Sequence, residues 1–212
     1  MDDGAPVSAA DAGAVASGPG GAAGPCEHRD SDKWLASMPR GAYTNARTVG
    51  RTHVYKLEDH VSRMANSVKL MTEEAAGGGA AGLRDEAAMR AALLPAVRAA
   101  LLAHGEAHPS YGGELKLAFL VDTSADEPAV HVHAAPLGGE APRPVKAIIA
   151  GAPRENAEAK DSAWVAGRQE LERAKPAGFN EVLLVDGAGR VLEGASSNFI
   201  AVVGGGGRTA GE

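Results

Sequence analysis

GAYTNARTVGRTHVY (41–55), running directly into KLEDHVSRMANSVKLMT (56–72), decides the fold class. GAYTNARTV is rich in β-formers, and RTHVY follows after a single Gly50, so the pair reads as a hairpin. Leu57, Val61, Met64, Val68 and Met71 then recur at steps of three and four, the signature of a helix with one buried stripe. A strand pair feeding a helix sets an α+β pattern from the start.

Outward toward the C-terminus, EEAAGGGAAG (73–82) reads as a flexible connection. Asp85 to His104 is Ala/Leu-rich, with Met89, Leu93, Val97 and Leu101 on one face, but Pro95 lies inside it. A kink or two short helices is expected there. Leu115–Val121, Ala129–Ala135 and Val145–Ala150 read as strands, the last two separated by the turn-rich GGEAPRP (138–144). Composition shifts at GAPREN (151–156). Lys160 to Arg173 reads as a helix, and EVLLVD (181–186), RVLEG (190–194) and NFIAVV (198–203) as three strands. The pattern predicts two α+β units, residues 33–150 and 151–212, with the second incomplete at its C-terminal end.

Outward in the other direction, residues 1–32 are Ala, Gly, Ser and Pro with six acids against one base, without apolar period. Such a segment is expected to stay disordered, an acidic tail. The remaining 180 residues carry 20 bases (21 − 1) and 21 acids (27 − 6), so the body is near neutral and a nucleic-acid-binding stripe is not expected. No run approaches the roughly 18 apolar residues of a membrane span, and neither a basic start nor an apolar stretch marks a leader. The expectation is a soluble, cytoplasmic chain with no membrane partner. The single Cys26 excludes an internal disulfide and a cysteine metal cluster. His131 and His133 share one strand face, but a metal needs a third ligand that the sequence does not place; a solvated face is expected instead, with no metal. His53 and His60 have no Ser or Cys at a triad's spacing.

Three segments carry a resemblance. Residues 41–70, with His60-x-x-Arg63 on the helix, 153–172 around Lys160, and EVLLVDGAGRVLEGASSNFIAVV (181–203) resemble the class IV (fold-type IV) aminotransferases, which use pyridoxal phosphate. The D-amino-acid-aminotransferase-like and aminodeoxychorismate-lyase-like branch fits best, since 33 positions separate Lys160 from Glu193. The resemblance implies a two-domain fold, Lys160 as the Schiff-base lysine and Glu193 as the partner of the pyridine nitrogen. It further implies Arg63 as a phosphate ligand, with Ser197 and Asn198 near the cofactor and Tyr43 and Arg47 facing substrate. The substrates would be an amino acid and a 2-oxo acid, and the assembly a homodimer. A lyase on the same cofactor and a truncated, non-catalytic relative stay open as alternatives. Two departures are visible: Val165 stands where branched-chain enzymes carry a tyrosine, and GGGGRTAGE (204–212) stands where the family continues into a Gly-Ile-Thr-Arg-like loop.

The residue types suit that chemistry on general grounds. An electron-sink cofactor needs an amine to hold its aldehyde and move a proton, an acid to keep its ring nitrogen protonated, and a cation for its phosphate.

Overall fold

In the computed structural model, residues 13–17, 23–72, 79–124, 127–139, 143–154 and 157–202 are described. They form two compact units: residues 1–140 with 155–167, and 141–154 with 168–212. The chain thus passes from the first unit to the second, back, and out again, instead of changing once near residue 150.

The first unit is a six-stranded antiparallel sheet, β2-β1-β6-β5-β3-β4, with helices on both faces. Its strands are β1 (Gly13–Ser17), β2 (Gly24–Cys26), β3 (Gly41–Val49), β4 (His53–Val54), β5 (Leu115–Asp122) and β6 (Ala129–Pro136). Alternation of side chains sorts the core. Ala42, Ala46, Leu117, Phe119, Val121 and Val132 face α2 (Leu57–Thr72) and α3 (Glu86–Ala107), where Val61, Met64, Val68, Met89 and Leu93 meet them. Tyr43, Ala118 and Leu120 pack on the opposite side with Trp34 and Leu35 of α1 (Ser31–Ser37). β5 is buried on both faces, which explains its nearly unbroken apolar run LKLAFLV.

Local chemistry fixes the ends of these elements. Asp30 caps α1 by accepting from Asp32 N and Lys33 N, and Asp85 caps α3 through Ala88 N. The expected hairpin pairs Thr48 with Val54 and Val49 with His53. Gly50 and Arg51 both take left-handed backbone (φ 59° and 60°), the conformation of a tight primed turn. The Glu114 carboxylate holds that turn by accepting from Thr48 Oγ1, Gly50 N and Arg51 N. Gly41 has no room for a side chain, since a Cβ there would stand 2.0 Å from the Val121 carbonyl oxygen.

Several expectations are corrected. Residues 13–17 and 24–26, expected to be part of a disordered tail, are strands, and the rest of 1–22 lies outside the described residues. GAVAS cannot fold alone, but β6 supplies a backbone partner and the small Ala14 and Ala16 bury beside α3. Of the two alternatives expected at Pro95, two short helices are overturned, since α3 is one continuous 22-residue helix with Pro95 inside. By length and composition it is long and apolar enough to cross a membrane; here Met89, Leu93, Ala96, Val97 and Ala100 are buried in the core of the first unit. The expected flexible connection at 73–82 runs into a 3-10 helix, Gly79–Arg84, and its residues 73–78 lie outside the described residues. His131 and His133 do not form a solvated face. His131 Nδ1 is 2.7 Å from Ser17 Oγ, while fully buried His133 stacks on Trp34 and bonds to the His28 carbonyl.

The second unit holds a three-stranded sheet in the order β7-β8-β9: β7 (Ala147–Ile149) runs parallel to β8 (Glu181–Val185), which pairs antiparallel with β9 (Val191–Gly194). Helix α4 (Ala163–Ala174) spans the division between the units. Asp186 nucleates the β8–β9 turn by accepting from Ala188 N and Arg190 N, with Gly189 in the left-handed conformation the turn requires. The expected third strand at 198–203 does not form over its described part, 198–202. Among the described residues no strand lies beyond β9 to take its backbone bonds, and Ile200 and Val202 stay exposed.

Candidate functional site

Lys160 belongs to the first unit, held there by its backbone. Its N–H donates to the hydroxyl of Ser67 on α2 (3.1 Å), and its carbonyl accepts from Tyr43 N on β3 (2.8 Å). Asp161 bridges to Ala42, and Ser162 exchanges bonds with Gly41. The segment therefore lies along the start of β3 like a short extra strand, with Lys160 half-buried.

Ser67 also places Arg63. The two are four residues apart on α2, and such residues stack on one helix face with Cβ atoms roughly 5–6 Å apart. Arg63 is exposed, one turn above the hydroxyl that holds the lysine backbone. His60 lies a further turn up the same stripe, its Nδ1 3.2 Å from Thr44 Oγ1 on β3. Partial burial first, and the Arg63 charge second, push the His60 pKa below its usual range, so it stands neutral. One helix face and one strand thus hold the Lys160 backbone, Arg63 and the His60 imidazole in successive turns.

Glu193 sits in the second unit on β9, opposite Leu184. Arg154 grips its carboxylate with Nε at 2.7 Å from Oε1 and Nη2 at 3.1 Å from Oε2. The Arg154 side chain is 7% exposed and that of Glu193 26%. Two parallel charge-assisted bonds fix the carboxylate plane, and each oxygen keeps a further acceptor site.

Ser197 is built into a second carboxylate cluster. Glu181, itself buried, accepts from Ser197 Oγ (2.7 Å), Ser196 Oγ (2.8 Å) and Val182 N (2.8 Å). These bonds outweigh the burial that would raise its pKa and hold it below the ordinary carboxylate range. Gly194 lies in the same turn: a Cβ there would meet Ser197 Oγ at 2.5 Å, Ser197 O at 2.9 Å and Glu181 Cδ at 3.0 Å. The glycine after Glu193 is therefore what lets the serine loop close onto Glu181. Asn198 follows that loop in an exposed position. Tyr43 is buried with its backbone on Lys160, and exposed Arg47 lies with its guanidinium 5.6 Å from the Tyr55 ring centroid.

The amino-transferase class IV family matches residues 41–210. The chain belongs to that family. None of the curated proteins matches it. Among solved structures, this class IV chain is similar to a hypothetical aminotransferase from Mycobacterium tuberculosis in its PLP-bound form (20% identity, TM-score 0.54). That likeness covers 86% of this chain and 65% of the other. It is also similar to an aminotransferase from Brucella abortus bound to the co-factor PLP (16% identity, TM-score 0.52), over 91% of this chain and 69% of that one. A fold IV-transaminase from Curtobacterium pusillum matches at 22% identity and TM-score 0.48, over 73% and 52%. The class IV chain thus spans between about half and two thirds of the length of the first of these structures, and the likenesses to the Mycobacterium tuberculosis and Brucella abortus structures establish its α+β fold.

The sequence missed four partners: Ser67 and Thr44, which tie Lys160 and His60 to α2 and β3, Arg154 on Glu193, and Glu181 under Ser196 and Ser197. Arg154 stands in the same quoted stretch as Lys160, but nothing local in it points to a carboxylate 39 positions away.

Proposed function

We propose that this class IV chain carries the lysine, cation and carboxylate of a pyridoxal-phosphate-dependent aminotransferase that moves an amino group between an amino acid and a 2-oxo acid. The observation that carries the reading is the backbone clamp on Lys160, which fixes the lysine's main chain against the helix that presents Arg63.

The donor set suits the cofactor's chemistry unit by unit. Lys160 supplies the amine for its aldehyde and the base for proton movement. Arg63, exposed at the open side of α2, supplies a cation for its phosphate. Glu193, held in plane by Arg154 and retaining acceptor capacity on both oxygens, supplies an acid for its ring nitrogen. When bound, pyridoxal phosphate supplies an electron sink for the charge left at a substrate's Cα. Ser197 and Asn198 take a shaping role, Ser197 through its bond to Glu181. With this reading go a homodimer and a cytoplasmic address.

The test is to load purified protein with pyridoxal phosphate, reduce with borohydride and map the modified peptide. A label on Lys160, absent in Lys160→Ala, is the expected result, together with amino transfer to 2-oxoglutarate. Release of pyruvate or ammonia without a 2-oxo acid acceptor would move the assignment to a lyase. No uptake of cofactor would remove it.

A further inference from the structure

We propose that the Arg40–Asp161 ion pair is a positioning device for Lys160, an inference that rests on the aminotransferase reading and adds residues to it. Arg40 precedes β3 and Asp161 follows Lys160. Arg40 Nε lies 3.2 and 3.0 Å from the two Asp161 carboxylate oxygens, and Nη2 lies 2.5 Å from Oδ2. The chain enters this stretch from residues 157 and 158, which are exposed, and becomes buried at Ala159, Asp161 and Ser162. Lys160 has its backbone bonded on both sides, by Ser67 and Tyr43.

The bonds of Lys160 to Ser67 and Tyr43 and the two between Ser162 and Gly41 are neutral hydrogen bonds, each worth little on its own. The ion pair is a charge-assisted, multi-contact attachment, and it acts one peptide bond from the lysine. A lysine side chain has four rotatable bonds, so where its amine can reach is set by where its Cα is held. Releasing Asp161 lets residues 160–162 lift from β3 and moves that Cα. Misplacement of a reacting group by about 1 Å costs up to about a hundredfold in rate.

Asp161 Oδ1 also accepts from Ala163 N at the start of α4. Asp161→Asn keeps an acceptor for that cap while removing the charge, and Arg40→Gln removes the other partner without touching the cap.

Two readouts are used on Asp161→Asn, Arg40→Gln, the double variant and Arg40→Lys. One is competitive acylation of Lys160 against exposed Lys56 in cofactor-free protein; the other is the rate of pyridoxal phosphate attachment to Lys160, mapped after reduction. Each single variant is expected to slow attachment about tenfold and shift Lys160 acylation at least threefold toward that of Lys56. The double variant should be no worse than either single, and Arg40→Lys should recover most of the rate. Because Arg40 is 62% exposed, 0.5 M salt should slow wild type more than Arg40→Gln, the difference being the share carried by the ion pair. Wild-type rates in both single variants, or effects that multiply in the double, overturn the proposal. Wild-type protein that takes no cofactor at Lys160 overturns the aminotransferase reading instead, and the acylation comparison then decides the positioning role by itself.

Discussion

Replacing Gly194 by alanine places a methyl carbon where Ser197 Oγ, Ser197 O and Glu181 Cδ lie 2.5, 2.9 and 3.0 Å away. Ordinary contact begins near 3.4 Å, so the Ser197 backbone must move by about half an ångström or more. That backbone is tied: its carbonyl accepts from Gly194 N at 2.9 Å, and its hydroxyl donates to Glu181 at 2.7 Å. Loss of one backbone bond costs about 1 kcal/mol and loss of a bond to a charged acceptor about 1.5–3 kcal/mol. Gly194→Ala should therefore destabilise the chain by about 2–4 kcal/mol. Urea unfolding measures the total. Hydrogen exchange at Ala195 N, which donates to Val182 O at 2.7 Å, reports whether the turn itself opens. Ser197→Ala in the Gly194→Ala background removes the 2.5 Å clash but not the carbonyl contact, so the two effects should sum to less than their separate costs. A Gly194→Ala protein within 0.5 kcal/mol of wild type, with Ala195 still protected, would refute the close-packing account of this turn.

Further outcomes follow from other contacts. Arg154→Gln leaves the partly buried Glu193 carboxylate without its cation and should cost about 2–3 kcal/mol; Glu193→Gln on top should recover part of this in the same urea titration. Arg63→Gln should weaken pyridoxal phosphate binding about tenfold or more while leaving the far-UV spectrum and melting midpoint unchanged, because the side chain is exposed. His104, fully buried, has its pKa pushed down to about 4 from 6.5, first by burial and then by the charges of His108 and Arg51. A depressed histidine pKa means the unfolded chain binds the extra proton first, so this contribution is complete above pH 6.5 and falls away as the pH drops toward 4. The loss reaches about 3 kcal/mol, and a His104→Leu variant should show a flatter stability profile between pH 7 and 5 by about 2 kcal/mol.

Legibility in the sequence followed the range of the interactions. The hairpin at 41–54 and helix α2 were readable because alternation and the three-to-four spacing are local, and Gly50 marks its own turn. Glu193-Gly194 was readable as a motif, although the sequence showed no reason for the glycine; the structure supplies one in the closeness of Ser197. β1 was not readable. Gly-Ala-Val-Ala-Ser has neither bulk nor period, and becomes a strand only because β6 offers an edge and α3 covers it with small side chains between. The strand expected at 198–203 failed for the converse reason: Phe199, Ile200 and Val202 are β-formers with no neighbouring strand among the described residues. Partners of the site residues were hidden by distance along the chain, with Arg40 and Asp161 separated by 121 positions and Lys160 and Ser67 by 93. His133 was misread because period 2 gives the face of a side chain and not whether Trp34 covers that face.

The back-and-forth path of the chain bears on biosynthesis. The first unit includes residues 155–167, so a nascent polypeptide has to release that segment from the ribosome before the lysine's backbone can find β3. Until then the margin of β3 that receives it stands bare, at the stage when chaperones meet the growing polypeptide. A single proteolytic cut cannot separate the units as continuous pieces either, and limited digestion should yield nicked, still-associated fragments of the first body in place of a clean domain.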